Sequence, residues 1–153
     1  METIDIVSAN ESDREWCARL MAGNDPWLTL GRGLEQCRAA CHHPEYLLFV
    51  ARAGVQLSGF VLLHPRGMAS SPYIASIATA EEFRGQGIGS RLLAFAEAYA
   101  RPRSRHIFLC VSSFNTRARV LYERQGYTAV GELKDYVIQG ASEFIMHKPL
   151  EPL

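Results

Sequence analysis

Apolar and polar positions alternate in some stretches of this chain and recur at helical spacing in others. Ile4 and Ile6 alternate with polar neighbours from Thr3 to Val7, which predicts a first strand. Ser12-Asp13-Arg14-Glu15 has the form of a capping box, in which the Ser hydroxyl and the Glu carboxylate satisfy each other's backbone amides. A helix to about Met21 is expected from it, with Trp16, Cys17 and Leu20 on the buried stripe. Asn24-Asp25-Pro26 ends that helix, and Leu34 to Cys41 forms a second, short one before Pro44. Tyr46 to Ala53 and Val55 to His64 are dense in apolar β-formers and flank Gly54, so they predict an antiparallel hairpin. Pro65 to Pro72 is expected as a loop, and Tyr73 to Thr79 as a further strand. Ile88, Leu92, Leu93, Ala96 and Ala100 lie on one helical face, with Pro102 just beyond. His106 to Val111 is a strand and Thr116 to Gln125 a helix, with Gly126 placed for a left-handed cap. Tyr127 to Leu133 and Glu143 to Met146 are the last strand candidates. The order β α α β β β α β α β β is neither strictly alternating nor all-β, so it calls for a mixed α/β sheet with helices on both faces.

Composition narrows the function classes. The chain has 153 residues, a length that suits one domain spanning 1–153 and can bury a core without disulfides or metal. Sixteen Lys and Arg balance sixteen Asp and Glu, which disfavours a nucleic-acid or anionic-membrane surface but allows a local anion site. No apolar run approaches the length of a membrane span, and the acidic start Met1-Glu2-Thr3-Ile4-Asp5 does not resemble a signal peptide. Cys17, Cys37, Cys41 and Cys110 form no CxxC pair and no disulfide framework, so a cytoplasmic protein with reduced thiols is expected. Cys37, Cys41, His42 and His43 cluster on the short helix, but no second ligand pair follows and no metal site is expected.

The candidate chemistry lies in Arg84-Gly85-Gln86-Gly87-Ile88-Gly89, between a strand and a helix. Glycines let the backbone approach a ligand closely. The first amides of the following helix have no internal partner and point outward, and the helix dipole adds positive potential. Such a turn suits a phosphate group, with Arg84 supplying a full charge. A P-loop would need a lysine that is absent, and the G-x-G-x-G spacing departs from the dinucleotide fingerprint G-x-G-x-x-G.

Arg84-x-x-Gly87-x-Gly89 followed by Ser90-Arg91-Leu92-Leu93 resembles the acetyl-CoA motif of the GCN5-related N-acetyltransferases (GNAT). Ile77-Ala78-Thr79 stands where that family has a Leu-Ala-Val type strand end. Asn115-Thr116-Arg117-Ala118 and Leu121-Tyr122-Glu123-Arg124-Gln125-Gly126-Tyr127 are similar to its second signature. The resemblance covers nearly the whole chain and is weakest from Trp16 to Pro44. It implies a GNAT-like acyl-CoA N-acyltransferase fold, with a central, mostly antiparallel sheet of six to seven strands. It also implies acetyl-CoA as cosubstrate. Backbone groups around Ile77, Ala78 and Thr79 would pair with the pantetheine arm. Amides of Arg84, Gly85, Gln86, Gly87, Ile88, Gly89 and Ser90 would cradle the pyrophosphate, and Asn115 would hydrogen-bond the cofactor. Tyr122 would be the general acid at the departing sulfur. Asn115 and Tyr122 are about two turns apart and so share a helical face. A phenol, with an ordinary pKa of about 10, would be protonated at neutral pH and able to donate.

The resemblance implies transfer of an acetyl group to a primary amine of a small molecule, peptide or protein by direct attack. A non-catalytic acyl-CoA-binding regulatory module is the alternative. The general base is unassigned: the inward positions Tyr73, Ala75 and Ser76 are not acidic, Glu81 and Glu82 read as solvated loop charge, and a water-mediated base fits. Trp27, Leu28, Leu30, Tyr136 and the loop from Val137 to Ser142 are candidates for the acceptor site. Cys110, mid-strand, reads as core rather than as a covalent acetyl carrier. Final strands often pair in this family, which makes a homodimer one expectation.

Overall fold

A computed structural model describes residues 3–151. The elements follow in the order β1 (Asp5–Ser8), α1 (Glu11–Ala22), α2 (Leu34–Cys41), β2 (Leu47–Ala53), β3 (Gln56–Met68) and β4 (Ser71–Thr79). One turn of 3-10 helix, Glu81–Phe83, leads to α3 (Ile88–Ala100), β5 (His106–Ser112), α4 (Thr116–Arg124), β6 (Thr128–Lys134) and β7 (Ser142–Pro149). The seven strands form one sheet in the order β1-β2-β3-β4-β5-β7-β6. Every neighbouring pair is antiparallel except β4 and β5. This is the mixed, mostly antiparallel architecture that the element order requires.

Alternation along the strands sorts side chains to two helical layers. On one face, Val61, Leu63, Ile74, Ile107, Leu109 and Met146 pack with Leu92, Leu93, Ala96 and Ala100 of α3. On the other, Leu48, Val50, Phe60 and Leu62 pack against Cys17, Ala18 and Met21 of α1, Cys37 and Cys41 of α2, and Trp27. The α1 stripe therefore centres on Cys17, with Trp16 and Leu20 only partly buried at its margins. The two helices are also stapled by charge. The Glu15 carboxylate accepts from Nε and Nη2 of Arg38 at 2.8 and 2.7 Å. It accepts from Arg19 at 2.8 Å as well.

Two local expectations are corrected. The capping box of α1 is Asn10 with Asp13, not Ser12 with Glu15. Asn10 Oδ1 accepts from the Asp13 amide at 2.8 Å, and Asp13 Oδ2 accepts from the Asn10 amide at 3.0 Å. Ser12 instead donates to Asn10 Oδ1, and Glu15 is taken up by the α1–α2 staple. The segment from Pro65 to Pro72 is a hairpin rather than a loop. β3 runs on to Met68, and Ala69 and Ser70, at φ 50° and 66°, make the tight turn into β4. The ladder register shifts between His64 and Met68, which lets Pro65, lacking an amide hydrogen, lie in a strand.

Candidate active site

The sheet opens in the middle. β4 and β5 pair over only two positions, Tyr73 with Phe108 and Ile74 with Leu109. Beyond Ile74, β4 continues to Thr79 on the β3 ladder, and β5 diverges from it. Ile77, Ala78 and Thr79 therefore border a wedge-shaped gap whose exposed strand edge offers backbone donors and acceptors to an extended ligand.

The glycine turn closes one end of this wedge. Gly85 and Gly87 have φ 79° and 80°, and a Cβ at either would project into open space. Their role is backbone conformation together with exposure of amides. Gly87 is the N-cap of α3 and no side chain caps it, so the first amides of that helix stay free for a ligand. Gly89 differs: a Cβ there would lie 3.1 Å from Leu121 Cδ2, so the absence of a side chain lets α3 and α4 come together. A groove of about 730 Å³ runs from Ile77, Ala78 and Thr79 past Arg84, Gly85, Gly87, Ile88, Gly89 and Ser90 to α4. Gln86 is exposed and does not line it, and the Ile88 side chain turns into the core. Arg117 and Arg124 from α4 add two cations to Arg84 along the groove; neither was singled out from sequence. Uncapped amides, an open glycine cradle and three guanidiniums suit a phosphorylated ligand with an extended arm, as acetyl-CoA is.

A second cavity, of about 280 Å³, lies on the α1–α2 side of the wedge. Pro26, Trp27, Ile77, Asn115 and Tyr122 border both spaces, so the two meet at α4. Asn115 is the N-cap residue of α4, yet its side chain makes no capping bond and is left for the cavity. Tyr122 is 7% exposed, and burial pushes its phenol well above the ordinary value. Its position is fixed from behind. Its ring meets Tyr127 edge-on at 6.2 Å, and the Tyr127 hydroxyl donates to buried Glu97 of α3 at 3.0 Å. Lys148 Nζ donates to the same carboxylate at 2.8 Å.

The walls of the second cavity include Trp27, Leu30, Tyr73, Cys110, Tyr136 and Val137. Trp27, Leu30, Tyr136 and Val137, candidates for the acceptor site from sequence, line this cavity, whereas Leu28 does not. Sequence reasoning missed Ser112 and Glu143. The Ser112 hydroxyl donates to Glu143 Oε2 at 2.6 Å, across the β5–β7 ladder that pairs these two residues. Nothing local marks this pair, because β7 becomes the neighbour of β5 only through the final strand exchange. Glu81 and Glu82 are exposed on the 3-10 turn and line neither cavity. Cys110 is half-buried beside Tyr73, and burial raises its pKa. Among the described residues, no group of three or more His, Cys, Asp and Glu side chains is placed to hold a metal.

The fold has counterparts in known proteins. The 5-NmdU N-acetyltransferase of Pseudomonas phage PaMx11 is 31% identical over 85 residues, which are 56% of this chain and 59% of the phage protein. The chain thus spans about three fifths of that relative's length. The solved structure of a nourseothricin acetyltransferase is 30% identical, with a TM-score of 0.65 over 71% of this chain and 67% of that one. The ribosomal-protein-S18-alanine N-acetyltransferase of Escherichia coli shares the fold at a TM-score of 0.76 and 19% identity, over 99% of this chain and 96% of that one. The family model described as the acetyltransferase (GNAT) family matches residues 11–127, a span that takes in the wedge, the glycine turn and α4. The chain belongs to the acetyltransferase (GNAT) family.

Proposed function

We propose that this chain is an acetyl-CoA-dependent N-acetyltransferase that moves the acetyl group to a primary amine by direct attack. One observation carries the proposal: a groove suited to a phosphorylated donor and a separate small cavity meet at the buried hydroxyl-bearing ring of Tyr122. Acetyl-CoA supplies the activated acetyl group, and the chain's residues orient it. Amides from Arg84 to Ser90 hold the pyrophosphate, with Arg117 and Arg124 near the remaining phosphate charge. The free β4 edge at Ile77, Ala78 and Thr79 pairs with the pantetheine arm, and Asn115 hydrogen-bonds it. Tyr122 donates its proton to the departing sulfur. Its raised pKa keeps the phenol protonated throughout the neutral range.

The single domain 1–153 holds both halves of this site. Four thiols free of disulfides support a reducing compartment, such as the cytoplasm. The phage 5-NmdU enzyme and the nourseothricin acetyltransferase act on different acceptors by their names, so the acceptor has to come from this chain's own cavity. Calorimetry with acetyl-CoA and thiol release with a panel of primary amines test the proposal. Saturable binding and amine-dependent release are expected, and absence of acetyl-CoA binding overturns it.

A further inference from the structure

The second cavity is lined by the carboxylate of Glu143. Glu143 stands on β7 opposite Ser112 of β5 and Leu133 of β6. Leu133, Ser112 and Glu143 all line the cavity that also holds Tyr122. One carboxylate oxygen, Oε2, is fixed by the Ser112 hydroxyl at 2.6 Å. Among the described residues Oε1 has no hydrogen-bond partner, and no cation forms an ion pair with Glu143. Burial first, and the charge of Glu143 to a smaller extent, raise the pKa of Tyr73 and of Cys110 and hold both groups in their protonated forms. An oriented carboxylate, half-buried and without a counter-ion, in the cavity that faces the acid Tyr122, is a place for an ammonium group.

We infer that Glu143 is the general base of the reaction and that the acceptor is a compact monocationic primary amine with an aromatic or apolar body. The inference rests on the acetyltransferase reading above. The ammonium form of the acceptor gives one proton to Glu143. The freed nitrogen lone pair then forms the C–N bond to the acetyl carbon. The C–S bond breaks with its electron pair on sulfur, and Tyr122 protonates that sulfur. The second proton, shed by the nitrogen as the adduct collapses, restores the Tyr122 phenol. Glu143 finally releases its proton to solvent, so one proton appears per acetyl group moved.

The acceptor class follows from the walls. About 280 Å³ is at or below the small end of pockets that take drug-sized ligands. Trp27, Tyr46, Tyr73, Tyr136, Leu62 and Leu133 supply aromatic and apolar surface. Glu143 is the one carboxylate in the lining and Arg32 the one guanidinium, so a second ammonium finds no partner and one repelling charge. Beside the carboxylate stand Ser112 and Cys110 from β5 and Tyr73 from β4, none of them cationic.

The test uses the full chain with acetyl-CoA, 2-phenylethylamine and spermidine. Wild type is expected to prefer 2-phenylethylamine by about tenfold or more in kcat/KM. Glu143→Gln keeps the acetyl-CoA Kd within about threefold and loses about 10²–10³-fold in kcat/KM at pH 7. That loss shrinks by about tenfold per pH unit as the assay approaches the amine's own pKa near 10, because free amine then forms without the base. A merely structural role gives a loss independent of pH. A Glu143→Gln rate within about threefold of wild type, or a pH-independent loss, overturns the base. Preference for spermidine, or acetyl-CoA binding with no thiol release from either amine, overturns the acceptor class. Absence of acetyl-CoA binding overturns the parent reading instead.

Discussion

In the proposed reaction, Tyr122 concentrates the chemistry in one side chain. The residue lines both cavities, and burial alone raises its pKa. Removing the oxygen leaves a ring that still fits against Tyr127. Tyr122→Phe is therefore expected to bind acetyl-CoA within about threefold of wild type and to lose about 10²–10³-fold in kcat. Calorimetry and initial rates on the same preparation check both halves, and equal losses in binding and rate would exclude an acid role. As a candidate, this residue was legible in the sequence because Asn115 and Tyr122 carry their own helical spacing and sit inside a recognisable pattern. Glu143 was not. Its meaning depends on Ser112, 31 residues away, and on a strand order that no local pattern encodes. Sequence periodicity says which face a residue takes, and only topology says whose face it meets.

At the scale of elements, the same contrast separates α3 from α1. Ile88 to Ala100 shows a wide apolar stripe, and its start is marked by glycines whose positive φ leaves few alternatives. The start of α1 was displaced because Asn10 and Ser12 both offer capping oxygens, and the choice was made by tertiary partners. Asp13, 4% exposed, also takes Arg52 at 2.6 Å, while Glu15 reaches Arg38 on α2. Asn10→Ala removes an acceptor for the Asp13 amide and should cost about 1 kcal/mol in denaturant unfolding, where Ser12→Ala should cost little. The α1–α2 staple has a pH signature. Its hydrogen bonds to Arg38 hold the Glu15 carboxyl down at about 2, below the usual carboxylate range. The folded pKa is depressed, so the contribution is complete above about pH 4.5 and is lost as pH falls through about 2. Glu15→Gln should thus melt lower than wild type at pH 7. The difference should narrow between pH 4.5 and 2, as followed by circular dichroism. The hairpin at Ala69-Ser70 was illegible for a related reason: neither residue favours φ above zero, and Pro65 argues against a strand. The long β3–β4 ladder holds the turn instead.

The whole molecule is two half-sheets hinged at a short parallel contact. β1 to β4 carry α1 and α2, β5 to β7 form the other half, and α3 lies behind the join. Two residue pairs between β4 and β5 are a weak link for a central position in a sheet, where ladders normally continue for several residues. The exposed edge at Ile77–Thr79 leaves backbone groups without strand partners, and an extended donor arm would complete both sides of the gap. Binding should therefore stabilise the join more than the periphery. Acetyl-CoA at about 100 times its Kd contributes about 2.7 kcal/mol by mass action, which corresponds to a Tm rise of about 5–10 °C for a chain of this size. Hydrogen exchange should slow at Ile77 to Thr79, at the amides from Gly85 to Ser90 and at the start of α4. The β6 edge and the α1–α2 connection should change little. Desulfo-CoA, which keeps the phosphates but lacks the sulfur, should protect the glycine turn while leaving Tyr122 and its surroundings less protected. Protection spread evenly over both half-sheets, or confined to β6 and β7, would show that the donor enters somewhere other than the wedge.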